Sequence, residues 1–209
     1  MNAICITVFG RAASHVSGLT TLTGVALAHQ ELRLLWVYGL QLFCFFLGAL
    51  VASLLVGGHR KFRGGPKYSL VLLVIGSTVL SAAAVGWANG WPESVGSSSS
   101  GALALSPQVV CWLVAFACGA QNGMTTFVSG AIVRTTHVTG TLTDLGIEAA
   151  GLLLRRGNGT WKLEVLCCFL LSFALGGCGG GLAAAHFPTT ALAYPGSLYF
   201  ALAALNYAW

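Results

Sequence analysis

The sequence predicts an all-α, polytopic membrane helix bundle, and three observations carry that prediction. Of 209 residues, 56% are apolar and only 7% are charged, whereas a soluble globular chain carries about 25% charge. Several uncharged stretches reach membrane-crossing length, and the basic residues gather in two short clusters instead of spreading over a face. So little charge cannot build the solvated surface of a water-soluble enzyme. The net charge of +5 reads as topology, not as a surface that tracks phosphates, which argues against a nucleic-acid binder. The expected surroundings are a lipid bilayer, and the expected localisation is integral and multi-pass.

The elements follow in chain order. Met1 to Phe9 is apolar but too short to cross, since a spanning helix needs about 20 residues; the chain begins partway through a helix or uses this piece in a broken one. No positive segment precedes it, so no signal peptide is expected. Residues 16 to 29 form a short helix, 34 to 57 and 68 to 89 form uncharged spans, and 107 to 133 forms another after a Gly-, Pro- and Ser-containing linker at 90 to 106. A second short helix covers 138 to 154, a span covers 165 to 185, and a last span covers 188 to 209, where Pro188 suits a first turn and Pro195 interrupts. The two short helices rise only about 20 to 25 Å, less than the roughly 30 Å hydrocarbon core, so they are half-spans or re-entrant. Trp36, Trp87, Trp91, Trp112, Trp161 and Trp209 fall near the ends of these spans, at the headgroup level that indole prefers.

The two halves are related. Ser14-His15-Val16-Ser17-Gly18 recurs as Thr136-His137-Val138-Thr139-Gly140, and at the same offset of 122 Thr21 matches Thr143, Gly24 matches Gly146 and Ala28 matches Ala150. Phe45, Leu47 and Gly48 match Phe173, Leu175 and Gly176 at an offset of 128. One membrane domain, 1–209, therefore holds a first repeat at about 1–90 and a second at about 107–209. The basic cluster His59-Arg60-Lys61-Phe62-Arg63 with Lys67 follows the first long span, whereas Arg155, Arg156 and Lys162 precede the matching span of the second repeat. Cytoplasmic loops collect Lys and Arg, so equivalent spans are expected to run in opposite directions. That predicts an inverted repeat of about six crossings plus the two half-helices. The glycosylation sequon Asn158-Gly159-Thr160 lies in the second basic loop and is expected to stay unused.

These residues carry a family resemblance. Gly119-Ala120-Gln121-Asn122-Gly123, followed by Arg134 through Gly146 with its T-H-V-T-G-T-L-T-D-L-G sequence, resembles the second-half signature of the YoaK-like family, domain of unknown function 1275. Asn2-Ala3, Phe9-Gly10 and Ser14-His15-Val16-Ser17-Gly18 are similar to that family's first motif. Ser17 stands where Thr is usual and Leu19 where Asn is common, and Met1 falls where the family's first helix is already under way. The resemblance implies a membrane protein of about six spans and implies no chemistry.

The H-V-[ST]-G box puts a histidine, a hydroxyl and a glycine at the start of each short helix. Helix N-termini expose unpaired N–H groups and a positive dipole end, so two of them meeting near the midplane favour an anion or a polarised solute. The alternative is that Ser14, Ser17, Thr136 and Thr139 simply cap their helices. His15 and His137 suit a metal, a haem or a proton relay, but no further ligand completes a set, and hydrogen-bonded structural histidines are the simpler reading; no cofactor is expected. Asp144 and Glu148 share one helix face and either line a functional site or pair with Arg134, Arg155 or Arg156. Arg11 and Arg134 flank the boxes and either hold an anion or snorkel. Gln121 and Asn122 lie within a span, where an unpaired amide is costly, so they must bond inward.

Seven cysteines (5, 44, 111, 118, 167, 168 and 178) with no C-x-x-C argue against a disulfide framework and a zinc site; buried free thiols are expected. Gly176 with Gly180 and Gly177 with Gly181 form small-xxx-small pairs, Gly48 with Ala52 being the counterpart. These permit close helix approach and read first as packing devices, with a homodimer through the glycine-rich helix as the alternative. The expected function is a transporter-like protein that binds or moves a small-molecule solute between the two boxes, with His15, Ser17, Gln121, Asn122, His137, Thr139 and Asp144 at the site. A structural or assembly subunit is the alternative. An enzyme is not expected, because no nucleophile is paired with a base.

Overall fold

A computed structural model describes residues 1–57, 66–89, 105–154 and 160–207. The cluster at 59–63, most of the linker, Trp91, Arg155, Arg156, Asn158 and Trp209 lie outside the described residues. Among the described residues the chain is all helical: α1 (Asn2–Phe9), α2 (Val16–Ala28), α3 (Leu32–Val56), α4 (Pro66–Ala88), α5 (Leu105–Val128), α6 (Val138–Leu153), α7 (Trp161–His186) and α8 (Ala193–Tyr207). The short helices α2 and α6 begin at the residue after each histidine, as the box predicts.

Three helices, α3, α4 and α7, are long and apolar enough to cross a membrane. The other two expected spans differ from the sequence reading. α5 stops at Val128, not near 133, because Gly130 (φ 61°) and Ala131 (φ 68°) turn left-handed, a conformation that cannot continue a right-handed helix; Gln108, Gln121 and Asn122 also dilute its apolar character. α8 starts at Ala193, after turns that contain Pro188, and has 15 residues. Pro195 sits in its first turn, where a missing N–H costs nothing, and does not interrupt it.

α4 is the hub. It packs against α8, α5 and α3 and buries Val71, Ile75, Val79 and Ala82 at helical spacing, against a core that includes Val110, Val114, Ala117 and Cys118 of α5. Half of its apolar window is buried, compared with 22% for α3 and 6% for α7. α4 and α8 run antiparallel: Ser69 Oγ donates to the Ala203 carbonyl at 3.0 Å and accepts from Asn206 Nδ2 at 2.9 Å. Further along, a Cβ added at Gly76 would lie 2.9 Å from the Phe200 ring, and one at Gly196 would lie 2.7 Å from Leu80. Each helix offers a glycine to the other's large side chain.

α3 and α5 run side by side in the same direction, with Trp112 Nε1 donating to the Val37 carbonyl at 3.2 Å and Phe45 beside Gly119. Their backbones touch: a Cβ at Gly48 would collide with the Phe116 carbonyl, and one at Gly119 with the Phe45 carbonyl. Trp112 is thus a tie between helices inside α5, not a marker of its end. α2 lies on α3 and α6 on α7, while α1 packs on α7. Cysteine burial is mixed. Cys5, Cys111 and Cys118 are buried as expected, whereas Cys168 and Cys178 are exposed on α7, because so little of that helix is covered.

Candidate functional site

His15 and His137 are the N-caps of α2 and α6, and no side chain caps either helix. The expectation that Ser14, Ser17, Thr136 and Thr139 cap is therefore overturned. The histidine takes the N-cap position, which leaves one hydroxyl a residue too early and the other two residues too late to reach the orphan N–H groups. Both imidazoles fold back over the first turn: a Cβ added at Gly18 would lie 2.8 Å from His15 Nδ1, and one at Gly140 would lie 2.8 Å from His137 Nδ1. The glycine of each box makes room for the ring of its own histidine.

The loops that lead into the boxes are held by amides. Asn2 Oδ1 accepts the N–H groups of Ala13 at 2.8 Å and Ser14 at 3.1 Å, and Asn122 Oδ1 accepts the N–H of Thr136 at 3.4 Å. α1 ends at Gly10, whose φ is 66°, and α5 gives way to a turn around Gly130. In the first loop, buried Gln41 donates through Nε2 to the carbonyls of Ala12 and Ala13 at 3.1 and 3.0 Å. The second loop uses Ser129, whose hydroxyl accepts the Val133 N–H at 2.9 Å and donates to its carbonyl at 3.2 Å.

Between the boxes lies a cavity of about 540 Å³. Its walls come in matched pairs: His15 with His137, Ser17 with Thr139, Ser14 with Thr136, Asn2 with Asn122, and Phe45 with Phe173. Arg134 also lines it, with Ala12 at the matching position of the first box. Five of the seven site residues expected from sequence are thus brought together. Gln121 and Asp144 do not line the cavity. Asp144 shares the α6 face of Glu148, and Glu148 accepts a hydrogen bond from Lys162 at 2.6 Å, a pairing made because α6 packs along α7; the expected partners Arg155 and Arg156 lie outside the described residues. The two flanking arginines also part company. The Arg11 guanidinium lies 5.8 Å from the centre of the Tyr38 ring, beside a smaller cavity of about 310 Å³ that Gln41 and His15 also line.

Four contributors escaped the sequence reading as site residues. Phe45 and Phe173 were legible only as part of the offset-128 echo. Asn2 stands 120 residues before Asn122 while the histidines are 122 apart, so a search at one fixed offset misses the pair. Gln41 has no polar counterpart, since the residue 128 further on is Phe169, and only its buried, doubly bonded position reveals its part.

Fold and site together define a helical bundle with three helices of membrane-crossing length and apolarity and a cavity, lined by polar side chains and two phenyl rings, between two uncapped helix starts. A family model for a protein of unknown function, DUF1275, matches residues 1–205. The chain belongs to that family. No curated protein and no solved structure matches it.

Proposed function

We propose that this chain is a multi-pass membrane protein of transporter-like architecture that binds or moves a small solute in the cavity between the two H-V-[ST]-G half-helices. The observation that carries this reading is the cavity itself. Its volume falls within the roughly 300–1,000 Å³ of small-molecule sites, and it is lined by His15, Ser17, Asn122, His137 and Thr139. A structural or assembly subunit would have its boxes spent on capping in a packed interior, and neither box is spent that way. The reading includes no enzymatic activity.

An inverted repeat underlies it in this proposal, and the geometry lends support. Gly76 and Leu80 stand 120 residues before Gly196 and Phe200, and they contact one another reciprocally, as residues related by a two-fold axis do. Those two helices, α4 and α8, are antiparallel. The helix pairs α1–α7 and α5–α3 exchange in the same sense. Broken helices meeting at such an axis are the usual place for a transported solute.

The test is a broad ligand screen on the purified full chain in detergent, read as thermal stabilisation. Solutes that stabilise the wild type are expected to lose their effect in the double variant His137→Ala/Asn122→Ala, at an unliganded melting temperature that still shows a cooperative transition. An absence of stabilising solutes across the screen, or shifts that persist in the double variant, would overturn the reading.

A further inference from the structure

The geometry points to a small organic oxyanion as the solute of this cavity, its single carboxylate or phosphate group held at Arg134 and its apolar remainder placed against Phe45 and Phe173. The inference rests on the solute-binding reading above and adds the chemical class.

Arg134 is the one arginine or lysine among the described lining residues, and no acid accompanies it. The ion pair of the described residues, Lys162 with Glu148, lies elsewhere, and among the described residues no hydrogen bond or ion pair engages the Arg134 guanidinium. A guanidinium is charged at every physiological pH and offers a planar fork of donors that fits two oxygens of one group. The symmetric packing of the boxes does not call for it, because the first box has Ala12 at the matching place.

The asparagines give a second, independent pointer. Only the amide oxygen can accept an N–H, so the bonds from Ala13, Ser14 and Thr136 fix Asn2 and Asn122 with Oδ1 turned to the backbone. That orientation leaves both Nδ2 groups, which are pure donors, beside the cavity without a partner among the described residues. The uncapped first turns of α2 and α6 add further N–H donors and positive dipole ends. A cavity supplied with donors and one fixed cation, and with no carboxylate, selects a ligand that accepts hydrogen bonds and carries negative charge. A cation meets the like charge of Arg134 there with no carboxylate to offset it. The two phenyl rings supply apolar wall that a bare inorganic ion would leave unused, which is why the ligand is organic.

Four probes that share a phenyl ring and differ in the attached group test this on the full chain in detergent: benzoate, phenyl phosphate, benzamide and benzylamine. Benzoate or phenyl phosphate is expected to raise the melting temperature with saturable dependence on concentration, and whichever does so identifies the carboxylate or the phosphate source. Benzamide and benzylamine are expected to leave it unchanged. Arg134→Gln is expected to weaken the anion about tenfold or more, as loss of a charged hydrogen-bonding partner does, while Arg134→Lys retains part of the affinity and Arg11→Gln retains all of it. Equal stabilisation by benzamide or benzylamine, or an unaltered anion affinity in Arg134→Gln, would overturn the oxyanion while leaving solute binding in place. Silence toward all four probes also overturns it, and the broad screen then decides separately whether any solute binds.

Discussion

α3 and α7 carry the same devices and end in different surroundings. Each follows a short helix that starts at an H-V-[ST]-G box, each packs that helix along its side, and each presents small residues, Gly48 and Ala52 on α3 and a run from Gly176 to Gly181 on α7. On α3 this face meets the backbone of α5 so closely that no Cβ fits at Gly48. On α7 a Cβ at Gly176, Gly177, Gly179 or Gly181 meets nothing within 4 Å, and only Gly180 touches α1, at Ala3 and Ile4. Small residues therefore permit close helix approach but do not compel it. What decides is whether a second helix is delivered to the face.

The comparison breaks most sharply at the glycines. Gly48→Leu or Gly119→Leu is expected to abolish folded protein, because even a methyl group strikes a carbonyl and overpacking costs ~3 kcal/mol or more before the rest of leucine is placed. Gly177→Leu is expected to leave yield and melting temperature near wild type. Size-exclusion profiles of the two sets, taken side by side, check this, and equal losses would mean that the α7 face is covered in the membrane, as a homodimer through the glycine-rich helix requires.

A smaller contrast separates Gln41 from Phe169. Gln41→Leu strips two carbonyls, that of Ala13 buried and that of Ala12 half-buried, of their donor and is expected to cost about 2 kcal/mol, whereas Phe169→Leu, which changes only packing at the position 128 residues later, is expected to cost less. Thermal melts of the two variants compare them, and a reversed order would shift the burden of loop anchoring to the second half. The asparagines give the finest contrast. Asn2 accepts two N–H groups at 2.8 and 3.1 Å and Asn122 one at 3.4 Å, so Asn2→Ala is expected to destabilise by about 1–2 kcal/mol and Asn122→Ala by less than about 1 kcal/mol. Their effects on ligand binding are expected to run closer together than their effects on melting temperature, because both leave one donor facing the cavity.

Much of this was legible in the residues. Helical periodicity is a local property, so the short helices after His15 and His137 and the long apolar helices α3, α4 and α7 follow from composition and length. Family membership follows from motifs that survive as contiguous strings. The end of α5 was misjudged because the left-handed turn there uses Ala131 as well as a glycine, and apolar composition does not announce a left-handed alanine. The start of α8 was misjudged because a proline fits a turn as well as a first helical residue.

The sequence alone determined which segments are helical, that they are too apolar for a water-facing surface, and that two matched boxes exist. Only the tertiary structure decided that His15 takes the N-cap position and no hydroxyl caps the helix, that Asp144 and Gln121 stand away from the cavity while Arg134 and two phenylalanines line it, and that Glu148 pairs with Lys162. The physical reason is the range of the forces involved. Burial pattern and backbone propensity act within a few residues and are written in local order, whereas a cavity is the space left when segments more than a hundred residues apart pack, and its lining depends on how every helix around it is placed.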